Sequence, residues 1–193
     1  MGHKEQLLEG AKRCLYEKGY ARTTARDVVA ASGANLASIG YHYGSKEALL
    51  TAAMIEAVGE WTERVLGTLR PERTTPLGRF EETMNQLARA YPEARTMVAA
   101  NFEALVHLER QPELRARLVQ GHALARRALV ALVLDVPEEE VTAEQERGLG
   151  SLLLTMVPGT MALFLVDPDG VPDGTGLVEG MRALVGSEAG AAS

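Results

Sequence analysis

The sequence has few of the residues that build disulfide scaffolds, metal centres or aromatic binding platforms. Its 193 residues include one cysteine, Cys14, and four histidines, and aromatic residues make up 5% of the chain. A single cysteine excludes an intramolecular disulfide and suits a reducing compartment. The histidines show no spacing typical of metal ligands. We therefore predict neither a metal site nor a cofactor.

Motifs of the common enzyme classes are also missing. The sequence contains no G-x-S-x-G motif, no P-loop and no dinucleotide-binding glycine pattern. Glu103 and His107 lie one helical turn apart and could form an acid–base pair, but such pairs are common on solvated helix faces. We expect no catalytic residues and no enzyme activity.

The composition, 46% hydrophobic and 24% charged, is that of a soluble globular protein. Apolar residues recur at helical spacing, and no alternating stretch is long enough for a strand, which predicts an all-α fold. The charged, amphipathic start of the chain does not have the pattern of a signal peptide. A cytoplasmic location is the corresponding expectation.

Charge is distributed unevenly along the chain. The net charge of −6 argues at first against a nucleic-acid binder. Residues 1–50, however, carry seven basic and five acidic side chains, and all four lysines (Lys4, Lys12, Lys18 and Lys46) lie there. Phosphate contacts depend on the field within a Debye length of about 8–10 Å. The pattern is thus compatible with DNA binding by the N-terminal part.

The segment from Thr23 to Lys46, TTARDVVAASGANLASIGYHYGSK, predicts two short helices and the start of a third. Thr24 is a candidate N-cap, with Asp27 as the acidic partner of a capping box. Gly33 suits a left-handed C-cap, and Asn35 can cap the next helix. Two short helices joined by a glycine-containing turn are typical of a helix-turn-helix, whose second helix enters the DNA major groove.

The second helix of this segment has an outward face suited to DNA. Ile39 and Tyr43, four residues apart, are expected to face inward. Ser45 is expected to cap the third helix, where Lys46 in the first turn is placed to hold a phosphate. The side chains expected to face outward, toward base edges and phosphates, are Leu36, Ala37, Ser38, Tyr41 and His42.

These residues resemble the DNA-binding segment of the tetracycline-repressor-like (TetR) family of transcriptional regulators. The resemblance rests on Gly19–Tyr20, the paired threonines, the GAN turn, IGYHY and GSKEALL, and covers about the first quarter of the chain. One departure is Asn35, where the family most often has serine. The resemblance implies DNA contacts by Thr23, Thr24, Arg26, Asn35, Leu36, Ala37, Ser38, Tyr41, His42 and Lys46.

The resemblance also implies two domains. Residues 1–46 are the expected three-helix DNA-binding domain, and residues 47–193 are the expected helical ligand-binding and dimerisation domain. A first helix is predicted over residues 4–18 and a longer one from Lys46 to about Leu69. RPERTTPLGR, residues 70–79, reads as a loop. Later helices are predicted to end near Pro92, at Gln111–Pro112, at Asp135, at Val166 and at about residue 186, before a polar terminus expected to fray.

An almost wholly apolar run, Leu149–Val166, approaches the length of a membrane span. We reject a membrane span because a polar turn precedes the run, Pro158–Gly159 interrupt it and no basic residues flank it. A helix that is apolar on every side must be buried on every side. In the family the last two helices pack against those of a second subunit, so residues 144–166 and 175–186 are the predicted homodimer interface.

The family usually holds a small-molecule pocket after the DNA-binding domain, and filling this pocket releases a palindromic operator. Asn101 and His122 lie on apolar stripes, where an unpaired polar group costs about 1–3 kcal/mol. Each candidate also has an ordinary interpretation as a core residue. The predicted lining of a mainly apolar site is Trp61, Met84, Met97, Asn101, Phe102, His122, Met156 and Thr160.

The expected function is a homodimeric, ligand-responsive transcriptional repressor that binds double-stranded DNA and a small apolar ligand. Two alternatives stay open. One is a DNA-binding regulator without a small-molecule pocket, either constitutive or switched by a protein partner. The other is a small-molecule carrier or enzyme that retains a helix-turn-helix relic. An exposed face at Tyr41, His42 and Lys46 argues against this second alternative, because it indicates that the helix-turn-helix is still suited to bind DNA.

Overall fold

The computed structural model describes residues 2–67 and 74–191, and over these ranges the chain forms helices and no strands. This confirms the predicted all-α class. Short turns of 3₁₀ helix occur at Leu108–Arg110 and Glu138–Glu140, and a π-turn at Glu146–Gly150. The α-helices are α1 (His3–Lys18), α2 (Ala25–Ser32), α3 (Leu36–Tyr43), α4 (Lys46–Gly67), α5 (Pro76–Ala90), α6 (Arg95–Leu105), α7 (Pro112–Leu134), α8 (Ala143–Gln145), α9 (Ser151–Val166) and α10 (Gly174–Ala191).

The chain divides into two compact units. The first unit comprises Met1–Arg64 and Pro92–Gly121, and the second comprises Val65–Tyr91 and His122–Ser193. Helices α4 and α7 therefore each contribute residues to both units. The domain boundary after residue 46 stays a prediction.

Apolar side chains of α1 form the centre of the first unit. Leu7, Ala11 and Leu15 are completely buried. A Cβ atom at Gly10 would lie 2.7 Å from the Cβ of Ser32, so α1 and α2 pack too closely there for any larger residue. Cys14 is 3% exposed, and burial raises the pKa of its thiol, so it is a packing residue of α1.

Lys12 joins α1 to α4 through a buried ammonium group. Its Nζ lies 2.6 Å from Glu9, 3.0 Å from Glu56 and 2.6 Å from Glu60. The carboxylate oxygens of these glutamates lie within 4.8 Å of one another, and the ammonium takes the position of a cation among them. Burial alone would lower the pKa of Lys12, but the hydrogen bonds to the carboxylates outweigh burial and raise it.

The second unit is held together by polar contacts between distant helices. The buried Arg79 side chain of α5 donates hydrogen bonds to the carbonyl of Val133 and to the carbonyl of Thr74, both at 2.8 Å. The hydroxyls of Tyr91 and Thr160 lie 2.7 Å apart, which joins the end of α5 to α9. These bonds satisfy polar groups that would be costly to bury alone.

The structure corrects three predicted helix boundaries. Helix α5 begins at Pro76 within the predicted loop, because Thr75 caps it and proline is tolerated at the first helical position; residues 70–73 of that loop lie outside the described residues. Pro158 lies inside α9 and does not interrupt it. Helix α10 extends to Ala191, beyond the predicted end near residue 186.

Helix Ala143–Val166 is long and apolar enough to cross a membrane by length and composition alone. Length and composition alone are weak evidence for a membrane span, since core helices of soluble proteins meet the same two criteria. Leu153, Thr160, Met161 and Phe164 of this helix are buried within the chain. Its other sides include exposed apolar residues.

Candidate DNA-binding surface

The first helix of the predicted helix-turn-helix is α2, and local hydrogen bonds fix both of its ends. Thr24 Oγ1 accepts a bond of 3.2 Å from the Asp27 N–H, and Asp27 Oδ2 accepts one of 2.8 Å from the Thr24 N–H. Gly33 ends the helix with φ 72° and ψ 5°, in the left-handed region. The predicted capping box and C-cap are both confirmed.

Helix α3 is fixed in the same way. Asn35 Oδ1 accepts a hydrogen bond of 3.0 Å from the Ser38 N–H and caps the helix as predicted. Gly44 follows its last residue with a φ of 78°. The Ser45 hydroxyl accepts a bond of 3.0 Å from the Ala48 N–H, which confirms it as the cap of α4. Three successive caps therefore define the turns on both sides of α3.

One side of α3 is buried and the other faces solvent. Ile39 is 4% exposed and anchors the helix in the first unit, as predicted. We use the term α3 face for the exposed residues Leu36, Ala37, Gly40 and Tyr41, of which Leu36 is 56% and Tyr41 85% exposed. Exposed apolar side chains of this size on a short helix are suited to a partner. Sequence reasoning missed Gly40, since it offers no functional group.

The side chains of two predicted DNA contacts, Thr23 and Ser38, are buried in the structure. Thr23 is 1% exposed, and its hydroxyl donates to the Gly19 carbonyl at 2.6 Å, within the connection between α1 and α2. Ser38 is 8% exposed, and its hydroxyl lies 3.0 Å from the Asn35 side chain. Both hydroxyls satisfy local polar groups, so neither is presented to a ligand.

The other predicted DNA contacts lie at or near the surface. Thr24, Arg26, Asn35, Leu36, Ala37 and Tyr41 are exposed, and His42 and Lys46 are half-buried. The His42 ring packs edge-on against the Tyr41 ring, with centroids 4.8 Å apart. The Lys46 ammonium lies 3.3 Å from the Thr23 carbonyl and 3.3 Å from the Glu47 carboxylate. This holds Lys46 close to the start of α2.

The N-terminus of α1 lies beside the C-terminal end of α3. The Tyr43 hydroxyl donates to the Lys4 carbonyl at 3.0 Å, and the Lys4 ammonium lies 5.9 Å from the centroid of the Tyr43 ring. Lys4 thereby adds a positive charge next to the C-terminal end of α3. The sequence shows the lysine but not its position, because the contact joins residues 39 positions apart.

An ion pair fixes α1 to α2 near the cap. Lys18 Nζ lies 2.5 Å from Asp27 Oδ1. This hydrogen bond, together with those from the Thr24 hydroxyl and N–H, holds the pKa of the Asp27 carboxyl well below its usual range. The same bond raises the pKa of Lys18. The helix-turn-helix is therefore stabilised by the ionised form of Asp27.

Stability should fall in acid because of Asp27. A carboxyl with a lowered folded-state pKa stabilises the protein fully above its unfolded pKa of about 3.9, and the contribution is lost progressively as pH falls from that value toward the folded-state pKa. We expect Asp27→Asn to be less stable than wild type at pH 7, with a difference that shrinks toward pH 3. Urea denaturation at pH 7, 5, 4 and 3 measures this.

The exposed Asp169→Asn variant is the matched control, and its difference from wild type should stay small throughout. A deficit for Asp27→Asn that is the same at pH 3 as at pH 7 would contradict the role of the ionised carboxylate.

Helix α6 contacts the segment that leads into the helix-turn-helix. Glu103 accepts a hydrogen bond of 2.8 Å from the Ala21 N–H. The His107 ring stacks on the Tyr20 ring with centroids 5.1 Å apart. Tyr20 itself is buried, and its hydroxyl donates to the Glu47 carbonyl at 3.2 Å. Glu103 and His107, considered above as an acid–base pair, are therefore each engaged with the α1–α2 connection.

The residues predicted to line a ligand pocket fall in both units. Trp61, Met84, Met97 and Thr160 are buried, and Asn101, Phe102 and Met156 are half-buried. His122 is exposed, which corrects its predicted place on a buried stripe. The Thr160 hydroxyl is already bonded to Tyr91. The pocket stays a prediction.

Comparisons with known proteins agree with this geometry. Residues 7–53 match the family model described as bacterial regulatory proteins, tetR family. The chain is 30% identical over 114 residues to the HTH-type transcriptional repressor AcnR of Corynebacterium efficiens, a match that covers 59% of this chain and 55% of AcnR. It is 28% identical over 85 residues to the transcriptional regulator TtgR of Pseudomonas putida, covering 44% and 40%. The chain thus spans about half the length of these curated relatives.

Solved structures share the fold over most of the chain. The multidrug binding protein EbrR, in complex with proflavin, has a TM-score of 0.65 at 22% identity and covers 95% of this chain and 99% of its own. A TetR transcriptional regulator from Rhodococcus sp. RHA1 has a TM-score of 0.65 at 16% identity, covering 94% of both chains. The curated relatives are HTH-type transcriptional regulators. The helix-turn-helix part of the chain, residues 7–53, therefore matches the tetR family of bacterial regulatory proteins, and the chain shares the fold of a solved TetR regulator.

Proposed function

We propose that the protein is a cytoplasmic, homodimeric repressor that binds a palindromic DNA operator and is released from it by a small molecule. The observation that carries DNA binding is the α3 face, where Tyr41 is 85% and Leu36 56% exposed on the second helix of the helix-turn-helix. Leu36 and Tyr41, unlike Ile39 on the same helix, are exposed and are not part of the core of the first unit. They are suited to contacts with thymine methyl groups and base edges in a major groove.

An exposed apolar strip on α9 supports dimerisation. We use the term α9 strip for Leu152, Thr155, Gly159, Leu163 and Val166, which repeat at helical spacing and are all exposed. Leu163 is 49% and Val166 85% exposed. A Cβ atom at Gly159 would meet no described atom within 4 Å, so a partner helix could approach closely there. Two copies related by a two-fold axis would present their α3 faces to half-sites about 34–36 Å apart.

The dimer should depend on the α9 strip. We expect Leu163→Glu to convert the dimer to a monomer at micromolar concentration, because two carboxylates would be buried in an apolar interface. Light scattering coupled to size-exclusion chromatography measures the mass. The matched control is Leu124→Glu, since Leu124 is 68% exposed on α7 and does not belong to the strip. A Leu163→Glu protein that remains dimeric would exclude the strip as the interface.

Ligand release is supported by the apolar side chains of the predicted pocket and by the drug complex of a protein with the same fold. EbrR is described as a multidrug binding protein in complex with proflavin. The present chain has one tryptophan, Trp61, which is 5% exposed. Because Trp61 belongs to the predicted lining, we expect its fluorescence to change when a ligand fills the proposed pocket.

The test begins with DNA selected from a random pool by the purified protein. Enrichment of a palindrome bound by two subunits supports the repressor, and failure to enrich any sequence contradicts it. Proflavin and ethidium are then titrated against the complex. Quenching of Trp61 together with release of DNA supports the ligand switch. Tight DNA binding that neither dye alters favours the regulator without a small-molecule pocket.

Lys46 should contribute to all DNA binding. Its ammonium is half-buried at the start of α4, close to the α2–α3 segment. We expect Lys46→Ala to weaken binding to both operator and unrelated DNA and to reduce the salt slope, d log K/d log[salt], by about 1. Fluorescence anisotropy at several salt concentrations measures it, with Arg182→Ala on α10 as the control. An unchanged salt slope would show that Lys46 does not contact a phosphate.

A further inference from the structure

Gly40 lies inside α3, where the fold gives no reason for a glycine. Its φ is not positive, unlike those of Gly19, Gly33 and Gly44. A Cβ atom at Gly40 would meet no described atom within 4 Å. Glycine in a helix interior is nonetheless about 1 kcal/mol less favourable than alanine. The folded chain therefore accepts a poor helix former at a position where alanine would fit.

Gly10, in the same unit, is a glycine that close helix packing requires, and it serves as a comparison for Gly40. A Cβ atom there would lie 2.7 Å from the side chain and 2.9 Å from the backbone nitrogen of Ser32. The close packing of α1 on α2 explains Gly10 completely. Gly40 has no such neighbour among the described residues, so packing within the described chain does not explain its missing side chain.

Gly40 lies in the middle of the exposed α3 face. At 100° per residue, the α3 face spans about 140° of the helix, from Leu36 at one edge to Tyr41 at the other. Gly40 and Ala37 occupy its middle. Whatever approaches this face meets main chain and one methyl group between two large side chains. The site is the DNA-binding surface already proposed, and the inference concerns one residue within it.

We propose that Gly40 is a specificity-determining residue whose missing side chain lets the α3 backbone lie against a base edge in the major groove. This inference rests on the proposed DNA binding. The absence of a Cβ atom allows a close approach of backbone to ligand that every other residue prevents. Leu36 and Tyr41 then reach the bases on either side of that contact. The base pair opposite Gly40 is thus recognised by how closely its edge fits against the bare α3 backbone.

The test compares Gly40→Ala and Gly40→Leu with the matched variants Gly59→Ala and Gly59→Leu. Gly59 is also exposed inside a helix, and a Cβ atom there meets no described atom within 4 Å, but it lies on α4 and not on the α3 face. The DNA is the operator selected by the wild-type protein, with an unrelated duplex for comparison. Anisotropy gives both dissociation constants, and thermal unfolding followed by circular dichroism reports the fold.

We expect Gly40→Ala to unfold at the same temperature as wild type or a higher one, because alanine favours the helix. Its affinity for the operator should fall about 10- to 100-fold, since an added methyl group enters a close-packed interface. Binding to the unrelated duplex should change less than about threefold, because that binding is mostly electrostatic. Gly40→Leu should lose more, and both Gly59 variants should bind as wild type does.

Two results would overturn the inference. Operator binding by Gly40→Ala within threefold of wild type would mean that nothing lies against this residue. Equal losses on the operator and on the unrelated duplex would place Gly40 against the sugar–phosphate backbone and not against a base. If the wild-type protein enriches no DNA sequence, the proposed function itself has failed. A wild-type protein that binds its operator and a Gly40→Ala protein that binds equally well would overturn this inference alone.

Discussion

Replacing Lys12 with alanine is expected to lower the free energy of unfolding by about 2–3 kcal/mol. The side chain of Lys12 is 7% exposed, and its ammonium contacts three carboxylates within 3.0 Å. Breaking a buried ion pair typically costs about 3–5 kcal/mol, and the partly exposed carboxylates reduce that figure here because water can solvate them. Urea denaturation at pH 7 measures the loss.

Lys4→Ala is the control for this prediction, since Lys4 lies on the same helix and is exposed. It should change stability by less than about 1 kcal/mol, because the only side-chain contact described for it is the exposed one with the Tyr43 ring. A second variant, Lys12→Met, keeps the alkyl stem and removes the charge. If Lys12→Met were as stable as wild type, the packing of the alkyl stem would account for the whole contribution of Lys12. The ion pairs between α1 and α4 would then add nothing to the free energy of unfolding.

The second large effect is expected at Tyr41. Tyr41→Ala should lower affinity for the selected operator about 10- to 100-fold, the range expected when a contact worth about 1–3 kcal/mol is lost. Because Tyr41 is 85% exposed, the same change should leave stability within about 0.5 kcal/mol of wild type. Anisotropy and urea denaturation measure the two quantities on the same protein.

Tyr41→Phe separates the ring from the hydroxyl. A loss equal to that of Tyr41→Ala would assign the effect to a hydrogen bond, as expected for a phosphate contact. Retained affinity would assign it to the ring. Operator binding by Tyr41→Ala within twofold of wild type would exclude Tyr41 from the interface, and the α3 face with it as the reading surface.

Local features of the fold could be predicted because they depend on residues close together in the chain. Thr24, Asn35 and Ser45 cap their helices as predicted, and each contact joins residues three positions apart. Gly33 adopts the left-handed conformation for a similarly local reason. The same density of local signals made the family recognisable from a quarter of the chain.

Predictions about exposure were less successful. Thr23 and Ser38 are small polar residues among the predicted DNA contacts, and both are buried here. His122 was expected on a buried stripe and is exposed. Helical spacing determines which residues share a face. It does not determine which face the neighbouring helices cover.

The sequence by itself determined the helix-turn-helix, its caps and the all-α class, since each follows from contacts within about four residues or from helical periodicity. Only the tertiary structure decided that Lys12 is enclosed by glutamates from two helices, that Tyr20 stacks on His107, and that Gly40 lies in the middle of an open face. The first two facts depend on residues 44 to 87 positions apart, and the third depends on empty space around Gly40. Neither distant packing nor empty space leaves a periodic signal in a single sequence.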